Sequence, residues 1–222
     1  MSIRLGNGNW AVSASKLLAY NDAAGSFFNK EFDFTRATTA TRINKSGLIE
    51  IVDNNIARID FTGSSDGHLL LEPASTNLFD YSEDFSNWGS DNITLTPNST
   101  TSPEGVNNAT KLADNTSNGR HRLSIQDSFT SGSNYVMSVF VKKNSSGKFL
   151  LLNADAGFNQ KAALNLDTLE ITNIKGTNAK IENYQNGWYR FSVSGPATVT
   201  RSILTFIQIQ NTAADESYAC RS

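Results

Sequence analysis

Cysteine is all but missing from this chain: of 222 residues, only Cys220 carries a thiol. An intramolecular disulfide is excluded, and with two histidines no zinc-ligand spacing can be assembled. Charge of one sign is equally scarce. Nineteen Lys and Arg against twenty-one Asp and Glu leave a formal net charge of −2. A nucleic-acid binder shows a basic stripe, and here the only adjacent basic pair is Lys142-Lys143, which suits a solvated strand end. No apolar run approaches the ~18 residues that cross a bilayer, so membrane insertion is not expected. The opening MSIRLGNGNW lacks the apolar stretch of a secretory signal, which predicts synthesis in a cytosol.

Apolar residues (38%) and charged residues (18%) are both below ordinary globular usage, and Asn, Ser, Thr and Gly take their place. Asn, Ser and Thr compete for main-chain hydrogen bonds, and β-branched Thr prefers strands, so the mixture disfavours helices. Thirteen Phe still supply a core. The spacing allows one helical turn at Leu17-Leu18-Ala19-Tyr20, whereas Phe28, Phe32 and Phe34 alternate with charges as a strand does. Leu48–Val52 and Ala57–Phe61 read as two short strands, and Asp53-Asn54-Asn55 between them predicts a hairpin. Asp66-Gly67 marks a further turn, and Pro73 stops the strand after it. These short pieces carry too little apolar surface to fold without partners.

From Asn77 the pattern changes to strands between turn signals: NITLTP, ATKLAD, HRLSIQD, NYVMSVFVKK, KFLLLNAD, QKAALNLD, EITNIK, AKIENYQ, GWYRFSVSG and ILTFIQIQN. This succession, without an amphipathic helix, predicts an all-β chain: an extended, short-strand region over 1–75 and a β-sandwich, or jelly roll, over 76–222.

Two stretches resemble known families. FDFTRATTATRINKSGLIE, ARIDFTG and LLLEPASTNLFDYSEDFSNW, in that order, resemble the leader that precedes appendage domains of tailed-phage virion proteins, usually called tail fibres. The resemblance runs from about Leu5 to Trp88. The second half is similar to galactose-binding-type jelly rolls of the carbohydrate-binding-module kind, through TNLFDYSEDFSNW, ATKLAD, YVMSVFVKK and GWYRFSVSG. The resemblance implies a virion protein made in the host cytoplasm, partnered by other virion proteins, homotrimeric, and meeting a host surface glycan. In such a fibre, Thr38 and Thr41 would bond across strands and Arg36 and Arg42 would pair with carboxylates at subunit boundaries. Solvated arginines on a surface loop are the plainer alternative.

The family also implies a structural Ca²⁺ near the first strand, for which Glu83, Asp84 and Asp114 are the candidates; the family's Phe-Glu is Phe85-Ser86 here. Jelly rolls of this type end with one more apolar strand, and none follows NTAADESYACRS. Unless another chain completes the sheet or the protein is longer, an unpaired edge at ILTFIQIQN or at the first strand is therefore expected.

Nucleophile elbow, P-loop, HExxH and EF-hand patterns are all missing. Glu83 and Asp84 supply at most half of a glycosidase pair, and adjacent acids on a loop are ordinary, so no enzymatic activity is expected. Sugar binding needs an aromatic platform flanked by amide or carboxylate groups. Trp88, Phe158, Tyr184 and Trp188 are available, with Asn159 and Gln160 beside Phe158. Both tryptophans lie between a turn and a strand and are assigned to the core. Phe158, in polar NADAGFNQK, is the expected exposed platform. The Asn-X-Ser/Thr triplets at Asn92, Asn98, Asn108, Asn115 and Asn144 arise easily in so Asn-rich a chain. A structural virion subunit and a carbohydrate-binding module of a glycan-degrading (depolymerase) protein remain the two readings.

Overall fold

The computed structural model describes residues 12–13, 16–21, 26–176, 178–214 and 218–219, with side chains from residue 34 onward except at 155, 218 and 219. The beginning of the leader and Cys220 lie outside the described residues. The fold is all-β. The chain divides into two compact units, Met1–Ser75 with Pro103–Gly105, and Thr76–Ser102 with Val106–Ser222.

The first unit holds β1 (Val12–Ser13), β2 (Lys16–Asn21) and β3 (Ser26–Asp33) as one antiparallel sheet. The expected helical turn at Leu17–Tyr20 is thus a strand: Ala19 pairs with Phe28 and Tyr20 with Phe27. An alternating partner strand outweighs a four-residue apolar run too short to nucleate a helix. Next come β4 (Ala40–Ile43), β5 (Ile49–Val52), β6 (Ile59–Asp60) and β7 (His68–Leu69). Asn55 adopts φ +59° in the predicted Asx turn, but β5 pairs with β4, and β6 pairs with β7. The expected hairpin between Leu48–Val52 and Ala57–Phe61 does not form. The turn chemistry was local and legible, whereas the choice of partner was not. Gly67 (φ +70°) turns the β6–β7 hairpin, and a Cβ there would stand 2.9 Å from both Ile59 Cγ2 and Phe61 Cε1.

The second unit is a β-sandwich. It begins with a 3-10 turn, Phe85–Asn87, and continues through β8 (Gly89–Asp91), β9 (Ile93–Thr100), β10 (Ala109–Asp114), β11 (Asn118–Gly119), β12 (His121–Phe129), β13 (Asn134–Lys142) and β14 (Phe149–Ala154). A single helical turn, α1 (Asp155–Phe158), leads to β15 (Gln160–Asn165), β16 (Ile171–Lys175), β17 (Ala179–Asn183), β18 (Trp188–Pro196), β19 (Arg201–Gln210) and β20 (Tyr218–Ala219). One layer is a six-stranded sheet in the order β16-β15-β14-β19-β12-β8. The opposing layer comprises β13-β18-β17 and the separate hairpin β9–β10. Leu123, Leu150, Leu152, Leu164 and Ile207 of the first layer pack against Met137, Phe191 and Val193 of the second, with Ile93, Leu95 and Leu112 of the hairpin at the margin. Near-continuous apolar runs at β14 and β15 fit their place inside the sheet, since Leu151 and Ala163, facing away from this core, are also buried.

The expected bare edge beside ILTFIQIQ is not there. β19 is a central strand, paired with β12 from Arg201 to Ile209 and with β14 from Phe206 to Gln210. Among the described residues the edges of this sheet are β16 and β8.

Trp88 and Trp188 are core residues, as expected. Phe79 and Phe85 meet Trp88 edge-on at 5.7 and 5.3 Å, and its Nε1 donates to Tyr81 O. Trp188 Nε1 donates to Thr101 O at 2.9 Å. Each indole buries its ring and satisfies its one donor.

Candidate functional site

The leader residues form an internal lock in the first unit. Asn44 turns the β4–β5 hairpin, its Oδ1 accepting the amides of Ser46 and Leu48 at 2.9 and 3.1 Å. This register sets Arg42 opposite Glu50. Arg42 donates from Nε and Nη2 to Glu50 Oε1, both at 2.6 Å, while Asn44 Nδ2 reaches Oε2 at 3.0 Å. Burial pushes the Glu50 carboxyl up, but these hydrogen bonds and the Arg42 charge outweigh it and hold it below its ordinary value. Arg36 donates from Nε to Thr38 O at 2.7 Å, and from Nη2 to Val52 O at 2.9 Å and to Asp53 O. Its amide donates to Asn55 Oδ1, and the Asn55 amide returns to Arg36 O. A guanidinium whose fork ends on several carbonyls fixes the exit of β5 as no Lys could.

Asp60 completes the lock. Its Oδ2 accepts the Ile43 amide at 2.7 Å and its Oδ1 the Thr62 amide at 2.8 Å, with His68 Nε2 3.8 Å from Oδ1. Arg58 pairs with Glu72 at 2.8 Å and reaches Thr41 O. Arg36 and Arg42, expected at a subunit boundary, thus place Nε and Nη2 on groups of their own chain, while Arg36 Nη1 is buried without a hydrogen-bond partner. Thr38 and Thr41 are exposed. Thr41 sits opposite Ile51, whose side chain is 73% exposed, and Leu71 is exposed as well.

The expected glycan platform is overturned. Phe158 is 0% exposed, stacked on Tyr135 and tilted against Phe129 in the sandwich core. NADAGFNQK reads as a loop, but α1 turns the ring inward between β14 and β15. Gln160 is buried too: its amide packs against Gly195, where a Cβ would stand 2.9 Å from Nε2 and 3.1 Å from Phe158 O. Asn159 is exposed, with φ +60° at the turn after α1. Tyr184 is half-buried and lies edge-on to Phe140 at 4.9 Å. The four residues therefore do not form one patch.

The candidate Ca²⁺ ligands are not brought together either. Among the described residues no group of three His, Cys, Asp or Glu stands close enough to hold a metal. Asp84 caps the 3-10 turn, accepting Ser86 N, Ser86 Oγ (2.6 Å) and Asn87 Nδ2 (2.8 Å), and these bonds hold its carboxyl below the usual range. Asp114 accepts Lys148 Nζ at 2.7 Å, so an ammonium already stands where a cation would. Glu83 is exposed.

One concavity went unread in the sequence. A groove of about 480 Å³ opens between β10 and β13, within the size range of ligand sites. Its floor includes Leu150, Leu166, Ile207 and Ile209, and its walls are Ala109–Asp114 and Val139–Lys142. Lys143 and Lys148 at its end are held by Asp167 and Asp114. No residue type or spacing announces such a groove, because it arises from which strands fail to pair. In comparison with known proteins, no family model matches the chain and no characterised protein matches it at a significant level.

Proposed function

We propose that this chain is a structural subunit of a tailed-phage virion, an appendage protein whose first 75 residues attach and oligomerise while the sandwich is displayed. The observation that supports this reading is the use made of the leader's polar residues. Arg36, Arg42, Glu50, Arg58 and Asp60 are spent on holding short strands together, as an assembly module requires and a catalytic site does not. The outward residues of the same hairpin, Thr41 and Ile51, with Leu71, supply the surface for neighbouring copies, and a homotrimer fits the family that the leader resembles. No catalytic role is assigned to any residue.

The test is to locate the chain in intact particles. Gold-labelled antibody against residues 76–222, viewed by electron microscopy on purified tailed phage encoding this sequence, should decorate tail or head appendages. Particles without label, despite expression of the chain during infection, would overturn the reading. The alternative, a carbohydrate-binding module, is favoured by one feature, the half-exposed Phe140–Tyr184 pair. A glycan array with wild type and Tyr184→Ala separates the two: saturable binding lost in the variant would favour the module.

A further inference from the structure

The layer opposite the six-stranded sheet has a gap. Among the described residues β10 pairs only with β9, and β13 only with β18, so two strand edges face each other across the groove with nothing between them. Successive side chains of a strand point to opposite faces, and a pocket touching one face would take every second residue. This groove is lined instead by every residue from Ala109 to Asp114 and from Val139 to Lys142. Contiguous runs on both sides mean that it is walled by strand edges, where main-chain N–H and C=O groups lie. Beneath them the floor is aliphatic: Leu150, Leu166, Ile207 and Ile209.

The mouth carries charge. Leu112, Val139 and Val141 pack against the core, so the exposed residues beside them, Lys111 and Lys142, face solvent from opposite banks. Neither has a carboxylate partner among the described residues, in contrast to Lys143 and Lys148. An edge with unpaired main-chain groups is a template for strand addition. Opposite charges on directly facing residues favour the pairing.

We propose that the groove between β10 and β13 accepts an added β-strand from a partner chain. The occupant is an extended segment matching the 6 residues of β10. It directs Val or Ile at the floor on alternate positions and presents Asp or Glu between Lys111 and Lys142. Such a strand joins the hairpin β9–β10 to β13-β18-β17 and makes one continuous layer. The inference stands on the groove alone and does not depend on the virion reading.

The probe is a fluorescent acetyl-Thr-Val-Glu-Val-Glu-Val-Thr-amide titrated with the full chain and followed by anisotropy. Saturable binding is expected. It should weaken about tenfold or more when Lys replaces both Glu in the peptide, and similarly when the protein carries Lys111→Glu with Lys142→Glu. Combining the Lys peptide with the doubly substituted protein should restore it. N-methylation of alternate peptide amides, which keeps every side chain and removes the donors toward one of the two strand edges, should abolish binding. Both lysines are exposed, and an unchanged melting curve of the double variant verifies its fold. No saturable binding of the parent peptide, equal binding of the N-methylated one, or indifference to charge exchange would each overturn the proposal.

Discussion

Asp60 is a carboxylate only 4% exposed, and it survives as one because main-chain amides surround it. Burial alone would push its carboxyl up; the hydrogen bonds from Ile43 and Thr62, with the nearby His68, prevail and hold it below its ordinary value. In the unfolded chain the group takes up its proton near pH 4, in the folded chain only at lower pH. Its contribution is therefore complete above pH 4 and is lost as pH falls through the folded value. Asp60→Asn should destabilise the first unit at pH 7 by about 1–3 kcal/mol, the cost of a broken buried network. The gap from wild type should narrow below pH 4. Hydrogen exchange at the Ile43 and Thr62 amides, corrected for intrinsic rates, measures both. At the same scale, Phe158→Ala should lower stability by about 3–5 kcal/mol, read from chemical denaturation, and should leave any glycan binding untouched. The polar neighbours of Phe158 suggested a loop, yet Gln160 and Lys161 are themselves buried and only Asn159 is exposed; one helical turn decides where the ring goes.

Elements were more legible than their pairings. ATKLAD coincides with β10 and NYVMSVFVK with β13, because alternation is a property of the strand itself. β8, β11 and β20 were missed: three residues or two, with no alternation to detect, they exist only through their partners. The position of β19 was misjudged for the same reason, since ILTFIQIQ looks alike at an edge or in the centre. Its central place carries a prediction. Thr205 is buried and faces Ile125 of β12. Thr205→Pro removes a main-chain donor inside the sheet and should cost about 3 kcal/mol or more. Loss of near-ultraviolet circular dichroism from Trp88 and Trp188 would report the collapse, and a variant with native-like spectrum and melting would contradict the central assignment.

On the scale of the whole molecule, the exposed side chains of Ile51 and Leu71 belong to a unit of short strands. The full chain should sediment as a trimer at micromolar concentration. Ile51→Asp with Leu71→Asp should yield monomers whose sandwich melts as in wild type. A monomeric wild-type chain would remove the basis for oligomerisation through this surface. Residues 76–222 alone should be monomeric, the sheet being bridged at its centre by β19 and not waiting for a strand beside it.

The place of β19 also sets a timetable. A ribosome delivers β8, β12, β14, β15 and β16 before it delivers the one strand that joins β12 to β14. Until Arg201–Gln210 has left the exit tunnel, the most the nascent chain can hold of this sheet is β8 with β12 and β14 with β15 and β16, two fragments whose inner edges are open. Such edges invite pairing with other nascent chains on the same message. The sandwich should therefore gain protease resistance in one step, only once Arg201–Gln210 is clear of the exit tunnel. Stalled chains ending near Pro196 should remain sensitive, however long they are held.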